Sequence, residues 1–272
     1  MINNRIQNTF QNLKKSKKKA LITFVTGCDP DYNTSQKILK ELVKQGSDLL
    51  EIGMPFSDPM ADGPSIQKSS LRALSAGTNM KTIFRLVSDF RKKNKVIPIV
   101  LMGYSNPILS FGIKNFFKSA KNAGTDGLIV VDVPPEEDDE IFNAAKENNI
   151  DLIKLATPTT NSERLEKILK TCSGFLYYVA IKGITGTKSA NPKIVKNAIK
   201  NIKKNTNIPV AVGFGIKGSK DAAIMADSGC DGIVVGSALV EIIEKSLKNK
   251  KSRHNIAQKV GSMVKKLRTK LS

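Results

Sequence analysis

Three carboxylates fall within twelve residues of the stretch LLEIGMPFSDPMADGPSIQ (49–67): Glu51, Asp58 and Asp62. Leu49, Leu50 and Ile52 give its first part the apolar character of a buried strand, and Glu51 lies near that strand's carboxyl end. Gly53, Pro55, Pro59, Gly63 and Pro64 cannot continue a strand or a helix, so Asp58 and Asp62 ride a stiffened loop directly after it. A carboxyl group held there and partly desolvated has its pKa raised toward the range useful for proton transfer near neutrality. The plainer alternative is a paired structural acid at 51 with turn-forming aspartates at 58 and 62. The residues alone leave both open.

A second set of residues points to an anion. KGITGT (182–187), GFGI (213–216) and GSALV (236–240) each put glycine just after an apolar run, and the last opens a helix. Glycine lets backbone approach a ligand closely, and amides at a helix amino terminus bind phosphate without side-chain charge. Phe24, Tyr104, Tyr177 and Phe214 also stand at strand ends, in a chain with only 6% aromatic residues. Core packing is the ordinary fate of such rings; gathered on one face, they fit a flat apolar ligand. The single histidine, His254, lies in a polar tail segment, which excludes His-pair metal sites. The three cysteines are odd in number and lack CxxC spacing, so free thiols are expected rather than disulfides or zinc.

These groups need a scaffold that gathers strand ends. Eight apolar segments alternate with helical patterns: 19–25, 48–53, 97–102, 126–132, 151–156, 175–180, 208–213 and 231–236. Three times a helix ends in glycine two residues before an aspartate that opens a strand, in QGSDLLEIG, NAGTDGLIVVD and DSGCDGIVVG. Eight such units in 272 residues predict an α/β fold, a (β/α)8 barrel with an additional amino-terminal helix; no GxGxxG stretch favours an open doubly wound sheet. One domain spanning 1–272 is expected, with a capping helix within 1–18 whose apolar residues are Ile2, Ile6, Phe10 and Leu13. The tail residues Ile256, Val260, Met263, Val264 and Leu267 predict a final packing helix. In this fold, catalytic groups sit at the carboxyl ends of strands, and the loops after strands seven and eight form the usual phosphate site.

The net charge of +20 raises a nucleic-acid reading. The lysines are spread over nearly every helical segment without interleaved aromatics, which fits a solvated surface that would also attract a phosphorylated substrate. No run approaches the roughly 20 apolar residues of a membrane span, and the amino terminus has no apolar signal core. The chain reads as cytoplasmic.

LLEIGMPFSDPMADGPSIQKSS closely resembles the signature of the tryptophan synthase alpha chain family. LITFVTGCDPD, MGYSNPI, LIVVDVPPEE, YYVAIKGITG, AVGFGI and GIVVGSALV resemble its other strand-end segments in the same order. The resemblance implies retro-aldol cleavage of indole-3-glycerol phosphate to indole and glyceraldehyde 3-phosphate, with no metal or organic cofactor in this chain. It implies that Glu51 is the acid–base group that protonates the ring and that Asp62 stabilises the ring N–H. Gly183, Gly186, Gly215, Gly236 and Ser237 would surround the phosphate, and Phe24, Tyr104, Ile129 and Phe214 the indole, with Tyr177 nearby. Thr185 would close over the substrate and touch Asp62. An α2β2 heterotetramer with a beta chain that carries pyridoxal phosphate is also implied, with contacts at the proline-rich loop and at MGYSNPILSFG. Gly27-Cys28-Asp29 departs from the family pattern, which more often has glycine before the aspartate. A sugar-phosphate isomerase or epimerase barrel is the alternative enzyme, but the PFSDPMADGP loop is not expected of it. An intact acid pair also argues against a purely regulatory subunit.

Overall fold

The computed structural model describes residues 4–180, 191–213, 215–249 and 254–271. Its strands are β1 (Ala20–Thr26), β2 (Leu49–Gly53), β3 (Ile99–Gly103), β4 (Gly127–Val130), β5 (Asp151–Leu152), β6 (Lys154–Ala156), β7 (Leu176–Val179), β8 (Val210–Gly213) and β9 (Gly232–Val235). The helices are α1 (Arg5–Lys15), α2 (Tyr32–Lys44), α3 (Pro64–Ser75), α4 (Met80–Arg91), α5 (Ser105–Phe111), α6 (Ile113–Ala123), α7 (Asp139–Glu147), α8 (Ser162–Thr171), α9 (Pro192–Asn205), α10 (Ser219–Ala226), α11 (Ser237–Lys248) and α12 (Ile256–Leu271).

All strand pairs are parallel, in the order β5-β4-β3-β2-β1-β9-β8-β7-β6. The fifth expected strand is two pieces, split at Ile153, so nine strands appear among the described residues where eight were expected. The reason is a change of partner: β5 pairs with β4 and β6 with β7. The Ile153 amide still donates to the Leu128 carbonyl at 2.9 Å, and the Ser173 amide to the Leu152 carbonyl at 2.9 Å. The sheet thus begins and ends on one continuous segment and forms a nearly closed barrel.

Period-two alternation sorts the side chains. Ile22, Leu49, Val100, Ile129, Ile153, Phe175, Tyr177, Ala211 and Val234 form the inner cluster, and Leu21, Leu50, Ile52, Leu101 and Val212 face the helices. Glu51, two residues from Leu49, shares the inward face. Helix α1, capped by the Asn4 side chain, which accepts the Gln7 amide, sends Ile6 and Phe10 into the amino-terminal end of the inner cluster. Part of the room for Ile6 comes from a missing side chain: a Cβ on Gly127 would stand 3.0 Å from it, and Phe10 packs in ordinary contact range of Gly232. The expected capping helix is present, though Ile2 lies outside the described residues. The tail forms α12, which buries Ile256, Val260, Val264 and Leu267.

The glycine–aspartate repeat performs one task three times. Gly46, Gly124 and Gly229 hold φ of 105°, 93° and 86°, left-handed values that end the preceding helices. Two residues on, Asp48 accepts the Leu21 amide (2.7 Å), Asp126 the Ile99 amide (2.7 Å) and Asp231 the Val210 amide (2.8 Å). Each carboxylate thereby satisfies an amide at the start of a neighbouring strand. Each is also paired with a cation: Arg268 at 2.7 Å, Arg5 at 2.7 Å together with Arg91, and Lys203 at 2.7 Å. A related turn went unread in the sequence, where Asn149 (φ 51°) takes the glycine's place before Asp151.

Asp126→Ala strips a strand amide and two arginines of their acceptor at the amino-terminal end of the barrel. The variant should lose about 2–4 kcal/mol in urea unfolding. Turnover at the opposite end should be unchanged wherever the protein is folded.

Candidate active site

β2 places Glu51 on the inner wall, in register with Phe24 of β1 and Val100 of β3. It is 1% exposed, and its Oε2 has no hydrogen-bond partner. Burial, and after it the negative charge of Asp62, pushes the Glu51 carboxyl up to about 8. The group is therefore protonated at neutral pH.

The loop after β2 runs from Met54 to Gly63. The Met54 amide donates to the Met102 carbonyl (2.7 Å), the Asp62 amide to the Pro59 carbonyl (3.0 Å), and the Gln67 side chain to the Asp62 carbonyl (2.9 Å). Pro64 occupies the first turn of α3, where a missing amide hydrogen costs nothing. Tyr104, at the end of β3, ties the loop down from across the mouth. Its hydroxyl accepts the Ala61 amide at 3.0 Å and lies near enough to the Asp62 carboxylate to lower its pKa, and its ring lies 5.4 Å from that of Phe56. Partial burial raises the Asp62 carboxyl to about 6, against the lowering effect of the Tyr104 hydroxyl. At pH 7 the mouth thus holds one neutral acid and one carboxylate. Asp58, by contrast, is exposed and bonded to the adjacent Ser57 hydroxyl, which suits a turn former.

Phe24, Tyr104, Asp62, Met102, Val131, Ile66 and Ser70 line a cleft at this mouth. Met102, Val131, Ile66 and Ser70 escaped the sequence reading. The inward period of β3 and β4 could have found the first two, whereas the α3 pair depends on how that helix packs. Ile129 is fully buried in the inner cluster, two residues below Val131. Tyr177 lies deep, and the charge of Glu51 adds to burial in raising its hydroxyl well above the ordinary range.

Some glycines serve the aromatic rings. A Cβ on Gly213 would meet the Tyr177 hydroxyl at 2.3 Å, and one on Gly53 would meet the Phe24 ring at 2.7 Å. Gly236 leaves space for Phe24 in the same way, at 3.1 Å. Gly236 also precedes α11, whose amino terminus at Ser237 has no side-chain cap. Gly215, after β8, holds φ 75°. Gly215, Gly236 and Ser237 follow the adjacent strands β8 and β9, on the other side of β1 from Glu51. Gly183, Thr185, Gly186 and Phe214 lie outside the described residues.

Cys28 takes a φ of 62°, the conformation in which glycine costs least, and its amide donates to the Ser35 hydroxyl at 3.0 Å. The departure from the family pattern therefore keeps the backbone turn that a glycine would make. Cys28, Cys172 and Cys230 are free and buried. Among the described residues, no helix is long and apolar enough to cross a membrane.

A parallel barrel with two carboxyls of raised pKa at its carboxyl-terminal mouth, and an uncapped helix amino terminus across β1 from Glu51, has the architecture of the (β/α)8 class and groups suited to acid–base chemistry. Comparison with known proteins narrows this. The chain belongs to the tryptophan synthase alpha chain family, whose model matches residues 10–270. The tryptophan synthase alpha chain of Zymomonas mobilis subsp. mobilis is 47% identical over 268 residues, covering 98% of this chain and 96% of that protein. Among solved structures, tryptophan synthase subunit alpha from Legionella pneumophila superposes with a TM-score of 0.90 at 37% identity, covering 98% of each chain. A chain of the Pyrococcus furiosus tryptophan synthase complex matches with a TM-score of 0.81 at 35% identity, covering 92% of this chain and 98% of that one.

The buried acid makes stability depend on pH. Its folded pKa lies above the unfolded one, so its penalty is absent below the unfolded value of 4.5 and grows as pH rises toward about 8. Relative to the parent, Glu51→Gln should therefore gain stability through that window, on the order of 1 kcal/mol per pH unit. Urea midpoints measured for both proteins at several pH values read this difference directly.

Proposed function

We propose that Glu51 and Asp62 carry, in this chain, the activity of its family: retro-aldol cleavage of indole-3-glycerol phosphate to indole and glyceraldehyde 3-phosphate, a carbon–carbon lyase step of tryptophan biosynthesis. The observation that supports these roles is the split between the two carboxyls, one raised to about 8 and the other to about 6.

Glu51 gives its proton to the ring carbon that bears the glyceryl chain. The ring nitrogen then carries positive charge, and the Asp62 carboxylate beside the N–H stabilises that charge as it develops. Loss of the proton from the adjacent glyceryl hydroxyl forms the aldehyde, and the carbon–carbon pair flows back into the ring to release indole. Glu51, ionised by the first step, is available to take the hydroxyl proton, which restores the starting state with no net proton gain. The protonated ring itself is the electron sink, so the chemistry asks nothing further of this chain. Pyridoxal phosphate is assigned to the beta partner.

Phe24, Tyr104 and the apolar cleft residues would hold the ring, with Ile129 and Tyr177 beneath it. Gly215, Gly236 and the Ser237 amide at the start of α11 would hold the phosphate. The proline-rich loop and α5, where Leu109 is 57% exposed and Met60 74% exposed, offer apolar surface beside the mouth for a beta chain in an α2β2 assembly. A cytoplasmic enzyme fits the pathway.

Glu51→Gln should lower kcat by about 10²–10⁴ and Asp62→Asn by about 10²–10³, with KM little changed, as read from indole release from indole-3-glycerol phosphate. Parent-like turnover in either variant removes the role given to that residue. The profile of kcat/KM against pH should be a bell. Its acid limb lies near 6, where Asp62 gains a proton, and its alkaline limb near 8, where Glu51 loses one. Asp62→Asn should abolish the acid limb.

A further inference from the structure

Asp62 stands one residue before Gly63, the residue that caps α3, and its carbonyl is bonded to Gln67 within that helix. Its carboxylate therefore moves with α3, and whatever fixes α3 fixes it. The loop after β1 grips α3 at two points. Arg72 forms a bidentate pair with Asp29, Nε to Oδ1 and Nη2 to Oδ2, both at 2.8 Å, and the Asp29 side chain is 0% exposed. Thr26, at the end of β1, shares a hydroxyl contact of 2.5 Å with Ser69, whose hydroxyl also reaches the Ile66 carbonyl at 2.7 Å. Ser69 and Arg72 are three residues apart, on one face of the helix, while Ile66 and Ser70 line the cleft.

We infer that Asp29 and Arg72, with the Thr26–Ser69 contact, are positioning residues that set the axial place and rotation of α3 and so aim the Asp62 carboxylate at the reacting ring. This rests on the role given to Asp62 above. Ser69 lies about 7.5 Å along the helix axis from Pro64, which follows Asp62 by two residues, so a small slide or turn at the clamp is carried to the carboxylate. Displacing a catalytic group by about 1 Å can cost 10²-fold in rate. A buried ion pair is a poor source of net stability, and fixing register is its best-attested use. The two-pronged guanidinium constrains rotation as well as distance, which an ammonium cannot do.

The test uses the full chain and compares the parent with Asp29→Asn, Arg72→Lys and Ser69→Ala, with Asp62→Asn as a reference. Indole release gives kcat and KM, glycerol 3-phosphate binding reports the phosphate end, and urea unfolding reports the fold. The first two variants should lose about 10- to 100-fold in kcat, with KM and glycerol 3-phosphate affinity within about threefold of the parent. Ser69→Ala, which removes only a hydroxyl, should lose kcat less but in the same direction, and it decides the matter if the charged-pair variants do not fold. Folded variants with parent-like kcat, or with KM raised in proportion to the loss, overturn the positioning role. A fully active Asp62→Asn would instead sink the role given to that carboxylate, so the two failures are distinguishable.

Discussion

A carboxyl group buried without a hydrogen-bond partner on one of its oxygens is the constraint around which this barrel is arranged. Water would solvate the charged form of Glu51; the inner wall of the barrel does not, and the neutral acid wins. Asp62 feels a weaker version of the same burial, moderated by the Tyr104 hydroxyl, and stays ionised. Two residues of nearly identical chemistry thus acquire opposite roles from about ten residues of separation and one proline-stiffened loop. A fold that merely placed them near each other in water would have produced two carboxylates.

The two ends of the barrel divide the work. At the amino-terminal end, the aspartates that follow helix-ending glycines satisfy strand amides and arginines, and α1 fills the core over Gly127 and Gly232. Toward the carboxyl-terminal end, glycines make space of a different kind, leaving clearance for the rings of Phe24 and Tyr177. The same residue type serves turn geometry in one place and side-chain clearance in another.

Much of this was legible from the chain. Alternation within the strands located the barrel staves, the Gly-x-Asp repeat announced their starts, and prolines around two aspartates marked the chemical loop. What escaped depends on partners distant in sequence. Nothing in DLIKLA tells that its first half pairs with β4 and its second with β7. Asn149 adopts a left-handed turn that composition assigns to glycine. Gly213 and Gly236, first read only as anion-binding glycines, also accommodate rings contributed by other strands. The walls formed by Ile66 and Ser70 come from α3, which contacts the end of β1 and the loop after it through residues that look unremarkable in a linear reading.

The plug formed by Ile6 and Phe10 has a bearing on traffic. Among the described residues the base of the cylinder is filled, so the rim beside the proline-rich loop is where a ligand would both enter and depart. Whatever sits over that rim therefore governs arrival and escape together, and a lid or docked subunit there would act as a valve on both.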